Sequence, residues 1–309
     1  MRKRPTLLLY LGVTLGFSAI FIHAQAQGQN IAVIKSHNIA PFNQALAGFT
    51  AACNQDITEY DLRGSTRRQK RIIKRIRATK PTIILAVGAL AAQVAKEGIR
   101  DIPVVFCMVP NPHKYNLRGK NIAGISLDIP VEVQFAQYKA LVPTLRTIGA
   151  IYDPQKTGTI ITEANAAARK LNLQFLASPV HSQKEVPAAL RSLLGKINAL
   201  WMLPDDTVIT PESFKFLLLT AFENNIPFLT ISDIFVEKGA LAALSPDYAN
   251  VGRQACQLIR EIESGRLNLT EVDAVPPDKV NLAINLKAAN KIGLILPPAI
   301  VQSASKVFR

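Results

Sequence analysis

The sequence predicts an α/β protein of two lobes, each a doubly wound parallel sheet, joined by a hinge. Three observations carry that expectation. Short apolar runs rich in Val and Ile alternate with amphipathic segments, as strands and their covering helices do. The runs are continuously apolar, which marks strands buried on both faces of a parallel sheet. The pattern also occurs twice: Ile31, Ile83 and Pro103 correspond to Ile148, Ala199 and Pro227, roughly 120 residues further on. Two similar βαβ units of this size make two lobes rather than one long sheet.

In the first lobe, IAVIK (31–35) reads as a strand and APFNQALAGFTAACN as its helix. ITEYDL (57–62) is a second strand. STRRQKRIIKRIRAT is a basic helix that Ser65 is placed to cap. TIILAVG (82–88) is a buried strand, ALAAQVAKEG a helix closed by Gly98, and IPVVFCMV (102–109) a further strand. VEVQFAQYKALVP (131–143) leads into the second lobe. There TIGAIYDP (147–154) precedes the helix TGTIITEANAAARKL, the strand LQFLASP and a helix at about 184–197. NALWMLPDD (198–206) and IPFLTIS (226–232) are strands flanking TPESFKFLLLTAFENN, in which Thr210 caps and Pro211 opens the first turn. YANVGRQACQLIREIESG (248–265) is a long helix at the far end. The segment VNLAINLKAANKIGLILPPAIVQSA, after AVPPD, supplies a strand and one or two helices expected to return to the first lobe. The expected divisions are a leader at 1–26, lobe one at 27–130 completed by about 264–309, and lobe two at 131–263.

The leader has Arg2, Lys3 and Arg4, an apolar stretch from Leu7 to about Ile22, and the A-x-A site Ala24-Gln25-Ala26. That order reads as a cleavable signal peptide. The stretch is short for a bilayer span, and no cysteine stands at the cleavage site, so the expectation is a periplasmic protein without a lipid anchor. Cys53, Cys107 and Cys256 lie in apolar surroundings (TAACNQ, VVFCMV, GRQACQL). At most one pair could form, and they read as buried thiols. His23, His37, His113 and His181 are scattered, so neither a metal nor a cofactor is expected.

Net charge is +14, and nine Lys and Arg with no acid lie between Arg63 and Lys80. On a helical wheel Ile72, Ile73, Ile76, Gln69 and Thr79 share one face, while Arg67, Arg68, Lys70, Arg71, Lys74, Arg75 and Arg77 fill most of the rest. The segment reads first as the wet side of a scaffold helix docked by one isoleucine stripe. A docking face for an anionic membrane or a partner comes second. A nucleic-acid surface comes last, because export removes the nucleic acid.

GISLDIPVEVQFAQYKALVPTLRTIGAIYDP, ALWMLPDDTVITPESF, NNIPFLTISDIFVEKGALAALSPDYANVGRQA and LAINLKAANKIGLILPP together resemble the bacterial ABC-transporter substrate-binding family, some of whose members bind aromatic amino acids. The resemblance covers nearly all of the chain after the leader. It implies a type I periplasmic-binding-protein fold and a transport role. Two departures fall on loops expected to line the cleft. Asn111-Pro112-His113 stands where the family commonly has a D-P-V turn. Gln155-Lys156-Thr157-Gly158-Thr159 stands where amino-acid binders carry a turn with Ser and Asn. Both bear on the ligand rather than on the fold.

Candidate contacts come from the loops after strands, where ligands sit in open α/β sheets. In lobe one these are Ser36, His37, Gly88, Ala89 and Asn111; in lobe two, Asp153, Thr157, Gly158, Asp205, Asp206, Ser232 and Asp233. Helix N-termini at Gly88-Ala89 and Asp153 could receive a carboxylate, and the aspartates an ammonium, so a zwitterion such as an amino acid suits the set. Each residue alone also reads as an ordinary helix cap. Adjacent Asp205 and Asp206 do not make an acid–base pair, and no nucleophile elbow or P-loop occurs, so no enzyme is expected. The expected function is a monomeric solute-binding protein that delivers to the membrane subunits of an ABC permease. The alternative is a protein of the same fold presenting its ligand to a membrane sensor. No nucleic-acid partner is expected in either case.

Overall fold

The computed structural model describes residues 30–309; the leader expected at 1–26 lies outside them. The first half folds as β1 (Ile31–Lys35), α1 (Ala40–Cys53), β2 (Ile57–Asp61), α2 (Gln69–Thr79), β3 (Ile83–Val87), α3 (Ala89–Gly98), β4 (Val104–Val109) and β5 (Ile122–Ser126). The second runs α4 (Val131–Leu141), β6 (Thr147–Tyr152), α5 (Pro154–Lys170), β7 (Gln174–Pro179), α6 (Val186–Leu193), β8 (Ala199–Trp201), α7 (Pro211–Glu223), β9 (Phe228–Thr230), α8 (Asp233–Glu237) and β10 (Ala242–Pro246). It closes with α9 (Tyr248–Glu263), β11 (Ala274–Val275), β12 (Val280–Asn285), α10 (Leu286–Lys291), α11 (Pro298–Ser303) and β13 (Lys306–Phe308).

Two sheets result, ordered β11-β5-β4-β3-β1-β2 and β13-β12-β10-β9-β8-β6-β7. β1 to β5 in one and β6 to β10 in the other follow the same order, as the repeat in the sequence predicts. β1, β3 and β4 are buried along their whole length because helices cover both faces. Phe49 of α1 and Val251 and Ile259 of α9 pack on Val33, Leu85 and Val105 from one side. From the other, Ile72 and Ile76 of α2 and Ala91 and Ala95 of α3 meet Ile34, Ile84 and Phe106. In lobe two, α4 and α5 pack on Ile148 and Trp201, and α6 and α7 on Ile151 and Leu200.

The basic helix takes the predicted pose. Ile72 and Ile76 are buried, Ile73 lies against Gly98, and the Ser65 hydroxyl accepts the Arg67 N–H to begin the first turn.

The lobe boundaries differ from expectation at the C-terminal end. α9 belongs to lobe one, packed along α1 and against β4 and β5. After it only β11 joins the first sheet. β12 pairs antiparallel with β10 and parallel with β13, so the tail from Val280 completes lobe two, not lobe one. The chain thus passes between lobes near 127–130, 246–247 and 276–279. The last two passages are tied together: the Asp247 N–H donates to the Lys279 carbonyl at 3.0 Å, and Gln254 Nε2 to the Pro276 carbonyl at 2.9 Å.

Small residues draw α9 onto α1. A Cβ added at Gly48 would lie 1.9 Å from the Ala249 carbonyl oxygen, and one at Gly252 would lie 1.8 Å from that of Ala45. The two helices therefore touch backbone to backbone, and that closeness brings Cys53 within bonding distance of Cys256. These two form a disulfide, which corrects the reading of all three cysteines as thiols. Cys107 stays free and buried, its thiol pushed up to about 12 by desolvation. The bond closes a loop of 203 residues. Cys256→Ser is accordingly expected to lower unfolding free energy by about 2–4 kcal/mol, read by urea denaturation of the oxidised protein. A wild-type midpoint would show that the link contributes nothing.

Candidate functional site

In a sheet of this order the switch point lies beyond the C-terminal ends of the first and third strands, where connections leave in opposite directions. In lobe one that point falls between β1 and β3, at Ser36 and Gly88. Gly88 has φ 91°, and a Cβ there would meet the Ser36 hydroxyl at 2.6 Å and the Phe42 ring at 2.7 Å. Only glycine supplies both that backbone and that space. Ser36 is buried, and its hydroxyl accepts the Ala91 N–H at 2.9 Å, satisfying the third donor of α3. Among the described residues no acceptor meets the N–H groups of Ala89 or Leu90, which are half-buried. The first turn of α3 is thus an open helix end carrying the positive pole of the helix.

The corresponding point in lobe two is closed. Asp153 caps α5, with its carboxylate accepting the Gln155 N–H at 3.0 Å and the Thr207 hydroxyl at 2.8 Å. Those bonds, the backbone one first, hold its pKa below the usual carboxylate range. Asp205 is 1% exposed. Its Oδ2 accepts the Asp153 N–H at 2.7 Å and the Thr157 hydroxyl at 2.6 Å, and its Oδ1 accepts the Thr207 N–H at 3.0 Å. Asp205, expected to meet a solute, faces protein donors in this structure. The carboxylate is sealed beneath the loop and engaged by three protein donors. Thr157 is buried in the same network. The self-capped α5 terminus also offers no open end equivalent to that of α3.

Other predicted residues lie around the rims. The His37 ring sits over Gly64. Asn111 adopts a left-handed conformation at φ 43°, its N–H reaching both Asp128 oxygens at 3.1 and 2.9 Å. Gly158 faces open space. Asp206 is exposed and paired with Lys156. That hydrogen bond is the leading cause of its lowered pKa, and the Lys114 charge from lobe one adds to it. Ser232 caps α8, and Asp233 pairs with Lys306 at 2.9 Å. Tyr248, at the start of α9, has its phenol pKa raised by desolvation and then by the Asp233 charge. Lys114 with Asp206, and Tyr248 with Asp233, place the two rims within electrostatic reach of each other. Two surface hollows lie elsewhere and contain no predicted contact residue. One lies beside the disulfide at Asn54 and Arg260, the other between α7 and α8 at Phe214 and Phe235.

Sequence reasoning missed Phe42, Leu90, Lys114, Asp128 and Tyr248. Asp128, two residues beyond β5 in SLDIP, follows the same strand-end rule as the others. Met108 gave no signal. It is buried with φ 60° at a bulge where the β4–β5 register shifts between Phe106 and Val109, an irregularity that re-aims the strand end beside the site.

The family model for ABC transporter substrate binding proteins matches residues 42–308. The chain belongs to that family. Among curated relatives of this substrate-binding chain is a tyrosine-binding protein of Clostridioides difficile (strain R20291), 27% identical over 214 residues. That match spans 67% of this chain and 61% of the relative's own length. Among solved structures, a ligand-free, open substrate binding protein with adhesive properties from Clostridium difficile superposes with a TM-score of 0.75 at 22% identity. It covers 91% of this chain and 99% of that one. An ABC domain from Streptococcus pneumoniae in complex with L-Trp gives 0.59 at 22% identity, covering 91% of this chain and 100% of that one. These likenesses identify the fold as the type I binding-protein architecture of two parallel-sheet lobes.

Proposed function

We propose that the protein captures a solute with an α-amino-acid head group between its lobes and hands it to an ABC permease after export. The observation that carries this is the open first turn of α3, where two unmet N–H groups and a helix pole await a carboxylate beside Phe42. We assign Ser36, His37, Gly88, Ala89 and Asn111 to the lobe-one wall, and Gly158, Asp206, Ser232 and Asp233 to the facing rim. Asp153, Thr157 and Asp205 lie behind that rim as its support. The names of the relatives, one binding tyrosine and one holding L-Trp, favour an aromatic side chain on the solute. The disulfide favours an oxidising compartment and with it the expected leader.

Native mass spectrometry of the purified protein identifies any solute carried through purification. Calorimetric titration then compares L-tyrosine and L-tryptophan with their carboxamides. Removing the carboxylate charge is expected to weaken binding about tenfold to a hundredfold, the value of charge-assisted hydrogen bonds. Equal affinity for acid and amide would remove the α3 terminus from the site. Absence of binding by any α-amino acid would overturn the reading.

A further inference from the structure

The solute site leaves the charge of α2 unused. The nine Lys and Arg from Arg63 to Lys80, with the three of the leader, account for all but about +2 of the net +14. The field of the folded protein is therefore one-sided. Ile72 and Ile76 anchor the helix, so its basic side chains fan out over the remaining faces. Among the described residues only Arg77 of the nine pairs with a carboxylate, Asp101 at 2.9 Å. The nearby acids of β2 are engaged, Glu59 by Lys35 at 3.0 Å and Asp61 by the Arg63 N–H at 2.7 Å.

We propose that this flank of lobe one adsorbs to an anionic phospholipid surface. A convex helix with long, divergent cationic side chains suits a flat array of diffuse negative charge, each basic residue near such a surface adding attraction. It does not converge on one point, as a pocket for a single phosphate would. It offers no exposed ring for base stacking, since Tyr60 beneath Arg75 is buried. The exposed large apolar side chains, Ile39, Val133, Leu219, Ile234 and Ile295, all lie on other elements, so contact is electrostatic rather than by insertion. The patch borders β2, the edge strand of its sheet, on the far side of β1 from β3. The patch begins beside the site, where the Gly64 N–H donates to the Ser36 carbonyl at 2.8 Å. α2 runs from there to the opposite end of the sheet, where Arg77 reaches Asp101 at 2.9 Å. Most of its basic side chains therefore lie away from Ser36 and Gly88, and solute affinity is measured beside adsorption.

The test is flotation of the protein with vesicles of phosphatidylcholine alone and of phosphatidylcholine mixed with phosphatidylglycerol. Binding is expected only with the mixture. It should fall away as salt rises from about 0.1 to about 1 M, where the screening length shrinks from ~10 to ~3 Å. The combined variant Arg67→Glu, Arg71→Glu and Arg75→Glu should lose at least about a hundredfold in partitioning, with melting temperature and solute affinity unchanged. Equal binding to both vesicle types, insensitivity to salt, or full binding by the variant would overturn the proposal. So would tighter binding to duplex DNA than to the mixed vesicles at the same salt. Loss of solute affinity in the folded variant would show that these three side chains act at the site, and would overturn that separation.

Discussion

Gly252→Ala is expected to cost about 3 kcal/mol or more and to loosen lobe one. The added methyl would lie 1.8 Å from the Ala45 carbonyl oxygen and 2.8 Å from the Phe49 nitrogen. Both are backbone atoms of α1, so no side chain can rotate away. The helices must separate along the seam, which lifts Val251, Ala255 and Ile259 off the sheet and opens space there that nothing fills. Gly48→Ala makes the reciprocal clash with Ala249 at 1.9 Å. Gly158→Ala is the control. It lies in α5 with nothing within 4 Å of the new carbon and should gain roughly 0.5–1 kcal/mol from helix propensity. Urea denaturation followed by circular dichroism reads all three. A wild-type midpoint for Gly252→Ala would mean that the helices have room the structure denies them.

That seam also explains where sequence reading stopped. Strand and helix periodicity made the doubly wound halves legible, and the repeat from Ile31 to Ile148 anticipated that both sheets share one strand order. The same periodicity cannot say which lobe a helix joins. α9 shows the apolar stripe Val251, Ala255, Ile259 that either sheet could accept. What assigns it is the match of Gly252 to the Ala45 backbone, a relation between segments some 200 residues apart, the scale of the disulfide loop. The error at β12 follows from it. After α9 and β11 the tail crosses again and pairs with the open edge of β10. Strand ends placed the candidate loops at the ends of β1, β3, β4, β6, β8 and β9, but composition could not separate an exposed carboxylate from a sealed one. Asp205 and Asp206 are neighbours in sequence with opposite surroundings. Thr157 and Thr207 decide the difference, because their hydroxyl and N–H groups claim one carboxylate and leave the other to Lys156.

Asp205→Ala is expected to destabilise lobe two by roughly 2–4 kcal/mol. It leaves the buried Asp153 N–H and the half-buried Thr207 N–H without their acceptor and the Thr157 hydroxyl with only the Asp153 carbonyl at 3.5 Å, and each buried orphan donor costs about 1–3 kcal/mol. Asp205→Asn should be milder. Two donors address Oδ2 and one addresses Oδ1, so either orientation of the amide turns its NH2 toward at least one of them. The amide facing Thr207 leaves a single conflict, at about 1–3 kcal/mol. Asp206→Asn removes only an exposed partner of Lys156 and should leave the melting temperature almost unchanged. The order reverses for solute binding if the rim assignment holds. Asp206→Asn then weakens affinity by about tenfold or more, whereas Asp205→Asn weakens it only as far as the loop from Leu203 to Thr207 shifts. Thermal unfolding and calorimetry on the same preparations separate the two roles. An Asp205→Asn protein that melts like wild type yet no longer binds solute would put that carboxylate in contact with the ligand and end its reading as a buried strut.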